Sequence, residues 1–194
     1  MSRQAEHPIA EFFTSRWSPR SYTGQPLAAG ALESLLEAAR WAPSASNLQP
    51  WRFVYGHTGT PAFAAILGGL VPFNQGWAAK ASALVVVLSR KTSQAPGSDE
   101  VKANPWHSFD AGAACFSLSL QAHLSGLAAH AMGGFDGAAL RAALGVPDDV
   151  QVEAVVAVGT QGDKAALPEG LQAREQPNDR LPLSAIAAEG QYRF

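Results

Sequence analysis

The stretch Ala28–Trp51, AAGALESLLEAARWAPSASNLQPW, decides the reading of the fold. Its first half carries Leu32, Leu35, Leu36 and Ala39 at i, i+3, i+4 and i+7. That spacing puts four apolar side chains on one stripe and predicts an amphipathic helix from about Ala28 to Arg40. Pro43 ends it, since proline has no N–H to give and its ring blocks the preceding turn. Pro43 to Pro50, rich in Ser, Asn and Pro, is a loop, and Trp51 to Tyr55 then alternates large residues as a strand does.

Upstream, Pro8 to Thr14 places Ile9, Phe12 and Phe13 at helical spacing, and Ser15 to Tyr22 has no helical period and reads as extended, with Pro19 fixing it. Downstream, Phe63 to Leu70 reads as a short helix. Ala83 to Leu88 and Val152 to Val158 are short, β-branched and apolar throughout, as strands buried on both faces are. Lys91 to Pro105 reads as an exposed loop, and Phe109 to Leu124 as a helix buried at the centre of the domain or of a dimer. Ala138 to Leu144 is a short helix ended by Gly145. After Gly159 periodicity is lost, except for a last turn near Leu183 to Ala188. Interspersed helices and strands of this kind predict an α+β fold, with helices covering a sheet.

The 194 residues suit one compact domain over residues 1–194, and 47% hydrophobic with 15% charged residues mark a globular chain. So few charges favour an oligomer that hides apolar surface. A net charge of −2 with no basic block speaks against nucleic-acid binding. Cys115 stands alone, so no internal disulfide forms and a reducing, cytoplasmic setting is expected. Met1 to Pro8 is polar, without the apolar region of an export signal. The most apolar run, Ala78 to Leu88, is short and broken by Lys80, so no membrane partner is expected.

GxGxxG, P-loop, GxSxG and HExxH patterns are all absent. His7, His57, His107, His123 and His130 do not pair with Cys115 at metal-ligand spacing, so no metal site is assigned. His107 and Asp110 read as a local structural or capping pair. No self-sufficient catalytic constellation emerges and no catalytic side chain is assigned; a bound cofactor would carry the chemistry.

Four segments bear on that cofactor. In Arg16-Trp17-Ser18-Pro19-Arg20, an extended chain points Arg16, Ser18 and Arg20 the same way, two forked cations and a hydroxyl suited to phosphate. On spacing alone a solvated basic stripe is the simpler account. Pro43, Ser44, Asn47 and Gln49 lie in a loop whose carboxamides can read a heterocycle edge, or which merely caps a helix. Met132-Gly133-Gly134 allows close backbone approach to a flat ligand, or a turn. Arg180 in Asp179-Arg180-Leu181-Pro182 can return to the same anion, and alone signifies little.

In this order, from about Phe12 to Ile186, these segments resemble the nitroreductase family, most specifically at Ala42 to Trp51. The resemblance implies a mostly antiparallel sheet flanked by helices, in an intertwined homodimer with FMN at the interface. It implies that Arg16 and Ser18 hold the FMN phosphate, joined by Arg180, and that Trp17 lies in the cofactor site. Arg20 and Asn74 would approach the flavin pyrimidine edge, with Arg20 stabilising the reduced, anionic flavin. Pro43, Ser44 and Asn47 would come from the partner chain, and Gln49 of the same loop would face the nicotinamide or substrate. Gly133 and Gly134 would place backbone N–H groups near flavin N5 and O4, and Met132 would lie in the cofactor site. The implied reaction passes hydride from NAD(P)H through N5 to an electron-poor acceptor such as a nitroaromatic or quinone, in ping-pong order. Dehalogenation, flavin fragmentation and a flavin-binding carrier or sensor without turnover are the competing readings. Three positions depart from some members: Gly133 stands in place of Glu, Asn178 in place of Lys and Trp77 in place of Lys.

Overall fold

The structure, a computed structural model, describes residues 3–94, 97 and 99–194. In chain order its elements are α1 (Phe12–Ser15), α2 (Ala31–Arg40), β1 (Trp51–His57), α3 (Pro61–Gly68), α4 (Pro72–Ala78), β2 (Ala83–Arg90), β3 (Thr92–Gln94), β4 (Val101–Ala103), α5 (His107–Leu124), β5 (Ala128–Met132), α6 (Gly137–Leu144), β6 (Val150–Gly159) and α7 (Glu169–Gln172). Short 3-10 turns cover Ala45–Asn47, Lys164–Ala166 and Leu183–Ala185.

Four strands form one antiparallel sheet in the order β1-β2-β6-β5. β2 is the two-sided strand that its sequence predicts. Leu84, Val86 and Leu88 enter one core cluster, while Ala83, Val85 and Val87 enter the other. On β6 the same alternation holds for Val155 and Ala157 against Val156 and Val158. Between Val87 and Leu88 the β2–β6 register shifts, with Val87 opposite Ala154 and Leu88 opposite Val152. This bulge lets Val152 and Val155 share one face despite their odd separation, and leaves Glu153 unpaired and re-aimed.

Helices cover both faces. One layer holds Phe63 and Ile66 of α3, Trp77 and Ala78 of α4 and Leu140 of α6. The other holds Leu32, Leu35 and Ala39 of α2 against Ala111, Ala114, Leu118 and Ala122 of α5. The stripe read from the sequence is therefore the buried one, although Leu36 lies at its margin. α2 starts three residues later than expected, because Gly30 at φ +77° takes the left-handed conformation just before it. The N-terminal helix is a single turn, Phe12–Ser15, without the stretch from Pro8. α5 is only partly buried. Its small residues face the sheet, and Phe109, Phe116 and Leu124 are exposed.

α4, β3, β4, β5 and α7 were not expected. α4 lacks a periodic apolar stripe and starts at Pro72, in the first turn where a missing N–H costs nothing. β5, Ala128-Ala-His-Ala-Met132, is poor in strand formers and exists because it pairs with β6. The expected loop Lys91 to Pro105 contains the hairpin β3–β4, and Ala95, Pro96 and Ser98 of that loop lie outside the described residues.

β1 lies hard against α3. A Cβ at Gly56 would overlap the Phe63 amide nitrogen and come within 2.7 Å of Phe63 Cα. Gly56→Ala should therefore cost about 1–3 kcal/mol or more, read as a lower midpoint in urea unfolding. An unchanged midpoint would mean that β1 and α3 separate freely.

Candidate cofactor site

Beside His130, in the middle of β5, lies a 220 Å³ cavity lined by Arg3, Arg16, Trp17, Ser18, Arg20, His130, Arg174, Gln176, Asn178 and Arg180. The Arg-x-Ser-x-Arg segment is extended from Arg16 onward, at φ −64° and ψ 130°, and contributes all three polar side chains to this one cavity. Arg16 Nη1 donates to Ser18 Oγ at 3.4 Å. Arg3 is tied down separately, with Nη1 donating to the carbonyls of Thr14 (2.9 Å) and Arg16 (2.7 Å). Burial, then the like charges of Arg3 and Arg180, push the Arg16 guanidinium below its ordinary pKa. Cations gathered at a partly desolvated point make an anion site. The C-terminal segment, nearly silent in the sequence, delivers Arg174, Asn178 and Arg180 to it.

Facing these cations is one buried carboxylate. Glu175 Oε1 accepts the backbone N–H groups of Arg20 (2.7 Å) and Ser21 (2.8 Å), and Oε2 stands 3.9 Å from Arg20 Nη1. Arg20 Nε and Glu175 Oε2 are both buried and lack hydrogen-bond partners among the described residues. His130 Nδ1 donates to the Pro19 carbonyl at 2.9 Å, and its ring lies 4.7 Å from that of Trp77. Burial holds His130 below its ordinary value of 6.5, against the opposing pull of the Pro19 carbonyl and with Arg20 adding to the depression.

Along β5 and past its end the chain reaches a second polar point. Asn74 Nδ2 donates to the Gly134 carbonyl at 3.0 Å. A Cβ at Gly134 would sit 2.7 Å from Asn74 Nδ2, whereas one at Gly133 would meet nothing within 4 Å. Gly134 is thus needed for the fit to Asn74, and Gly133 faces open space. The Met132 side chain is in the core, so only its main chain is left to face a ligand. Trp77 is likewise core, 2% exposed, and does not replace a ligand-facing Lys. His130 to Gly134 spans roughly 13 Å of extended chain.

Pro43, Ser44, Asn47 and Gln49 do not line the arginine cavity of their own chain. Their loop is exposed but tightly held. Ser44 Oγ accepts Gln49 N–H at 3.0 Å, Gln49 Nε2 donates to the Asn47 carbonyl at 3.0 Å, and Asp110 Oδ2 accepts Ala45 N–H at 3.2 Å. Ser46, Asn47 and Gln49 all have positive φ, near 50°. Three non-glycine residues in the left-handed region within four positions are a local strain that the surroundings must impose. Asp110 therefore anchors this loop, while His107 instead meets Ser89 Oγ at 2.7 Å.

The comparison that decides the family is a match of the nitroreductase family model to residues 13–60 and 62–160. The chain belongs to the nitroreductase family. Among its relatives, an uncharacterized 15.4 kDa protein of Mycolicibacterium smegmatis is 40% identical over 149 residues, 73% of this chain and 97% of that one. An NADH dehydrogenase of Thermus thermophilus is 30% identical over 215 residues, covering 94% of this chain and 98% of that one. A solved oxidoreductase containing FMN superposes with a TM-score of 0.95 at 46% identity, covering 98% of this chain and 96% of that one. The nitroreductase fold is thus the α+β sandwich described above.

Sequence reasoning missed Arg3, Arg174, Gln176, Glu175 and His130 as members of this site. None lies in a segment whose spacing marks it; chain folding alone gathers them. His130 gives a test. Unfolded, it takes up a proton near pH 6.5; folded, it resists until lower pH, so the unfolded state binds more protons and stability falls as pH drops below 6.5. His130→Gln should remove that part of the loss between pH 7 and pH 5 in urea unfolding. An identical pH slope in the variant would show that His130 is not held neutral.

Proposed function

We propose that this nitroreductase-family chain is an FMN-dependent oxidoreductase, reduced by NAD(P)H and working as a homodimer. The observation that carries the reading is the arginine cavity beside His130, in the middle of β5, and the Asn74–Gly134 pair just past the strand's C-terminal end. An elongated ligand with a phosphate at one end and a flat, hydrogen-bonding heterocycle at the other matches that layout. The residues fit FMN on their own chemistry: forked cations for a dianion, a buried Arg20 Nε with no acceptor of its own, and open space at Gly133.

Arg16, Ser18 and Arg180 would hold the phosphate, with Trp17 lining the same cavity. Arg20 and Asn74 would bind the pyrimidine edge, and Gly133 and Gly134 would present main-chain groups to the ring. When bound, the flavin supplies the two-electron chemistry, taking hydride at N5 from NAD(P)H and giving it to an electron-poor acceptor such as a nitroaromatic or quinone. The chain's own part is orientation and charge: cations near the pyrimidine favour the reduced form, and no side-chain nucleophile is required.

The dimer reading rests on exposed apolar surface. Phe13 and Phe116 stack with centroids 6.3 Å apart yet are 49% and 45% exposed, and Phe109 and Leu124 on α5 are more exposed still. A second copy on this face would hide them. It would also give the held loop at Pro43, Ser44, Asn47 and Gln49 a role on the partner's flavin.

The purified protein should carry or take up FMN, lose its yellow colour anaerobically with NADH or NADPH, and recover it with a quinone. Bound flavin that neither nucleotide bleaches would favour a carrier or sensor, and a protein unable to bind FMN would sink the whole reading. Arg16→Ala removes a charge-assisted donor worth about 1.5–3 kcal/mol, so FMN should bind roughly 10- to 150-fold more weakly by fluorescence titration. Asn47→Ala should also weaken FMN binding if the loop reaches across a dimer, and unchanged affinity would leave the loop as a cap.

A further inference from the structure

Glu175 occupies an unusual place. Its side chain is 1% exposed, beside a cavity lined by five arginines among its ten residues. One carboxylate oxygen clamps the Arg20 and Ser21 amides. A neutral Gln could do that equally well through its carbonyl oxygen, without burying a charge. The second oxygen has no hydrogen-bond partner among the described residues, and at 3.9 Å from Arg20 Nη1 it is too far for a direct bond. Buried charge left so incompletely paired is costly, so the carboxylate is not explained by capping. Nor is it explained by pairing. A bidentate Arg–Glu fork would use up the guanidinium donors. Here the contact is a single 3.9 Å approach at Nη1, and the buried Arg20 Nε has no acceptor among the described residues.

The surroundings hold this arrangement in place. Ser21 is 2% exposed and its Oγ donates to the Asp163 carbonyl at 2.6 Å, while Pro19 is locked by His130. The main chain on both sides of Arg20 is therefore fixed. Only the direction and the net charge of its side chain are left for Glu175 to govern.

We propose that Glu175 is the positioning residue of this site: it fixes where Arg20 projects and subtracts charge from it, and so sets how strongly the site favours a reduced, negatively charged flavin over the oxidised one. The inference rests on the FMN reading above. A cation beside the pyrimidine edge stabilises the reduced anion. A carboxylate behind that cation weakens the preference without removing the donor. The site holds Arg3, Arg16, Arg20, Arg174 and Arg180 against this one buried acid, so its charge is the lever available for lowering the flavin's potential.

The test is the flavin midpoint potential of FMN-loaded variants, measured beside oxidised-FMN affinity and thermal stability. E175Q keeps the amide clamp and loses only the charge. It should fold with the parent's Tm and favour reduced over oxidised FMN by roughly tenfold more than the parent, an upward shift of about 30 mV for a two-electron couple. E175D keeps the charge and shortens the reach, so it should lower Tm while leaving the potential near the parent's. In an R20Q background, the E175Q change should shift the potential much less, because the cation through which it acts is gone.

An unmoved potential in E175Q, an E175D shift equal to that of E175Q, or an undiminished shift without Arg20 would each overturn the proposal. So would an E175Q that fails to fold, since the amide preserves every bond Glu175 makes to the main chain. A parent protein that takes up no FMN removes the functional reading itself. A parent that binds FMN, with E175Q indistinguishable from it, removes only the role given to Glu175.

Discussion

β2 and β6 have no polar face. Their side chains alternate between two cores, so each side of the sheet needs a cover, and the chain supplies α3, α4 and α6 on one side and α2 with α5 on the other. The remaining architecture follows from that demand. The long α2–loop–β1 passage crosses from a helical layer into the sheet, and the polar loop at its turn is held at Asp110, a residue of the helix that α2 packs against. β5 depends on the same sheet. With three alanines and a histidine facing weak competition for other structure, it is a strand because β6 offers it a ladder of backbone partners.

The candidate site grows from the edge that β5 makes. Pairing with β6 brings His130 under Pro19, and the extended Arg16–Arg20 segment is thereby laid across the end of the sheet. The C-terminal segment adds four cavity-lining residues, Arg174, Gln176, Asn178 and Arg180, together with Glu175. Burying a cation beside like charges is unfavourable, and Arg16 is lowered first by its burial and then by Arg3 and Arg180. Such an arrangement persists because the cost is spread over a rigid sheet and its two cores. A bound anion would relieve it. The strained loop at Ser46, Asn47 and Gln49 tells a similar story, a local cost carried by a scaffold that over-determines the conformation.

Legibility in the sequence tracked how local each cause was. The stripe of α2, the two buried strands and the glycine stop of α6 were readable because spacing alone produces them. The direction of Arg16, Ser18 and Arg20 was readable too, since a period of two follows from an extended backbone. α4 and β5 were not, because neither has a periodic pattern and both take their form from neighbours. The roll of the bulge at Val87/Leu88 in aiming Glu153 had no sequence signal either. Trp77 could be named as a departure from some family members, yet only its burial against Tyr22 and His130 shows that it belongs to the core.

By itself the sequence determined the α+β class, the main helices and strands, and the resemblance that named the family. It could do so because hydrophobic period and turn chemistry act over a few residues. Tertiary structure decided the company each functional residue keeps. Arg174 and Arg180 meet Arg16 across most of the chain's length, and Glu175 reaches Arg20 over 155 positions. No spacing rule spans such distances. Contacts between remote segments are set by how the layers close around a sheet buried on both faces, and that closure is a property of the folded chain alone.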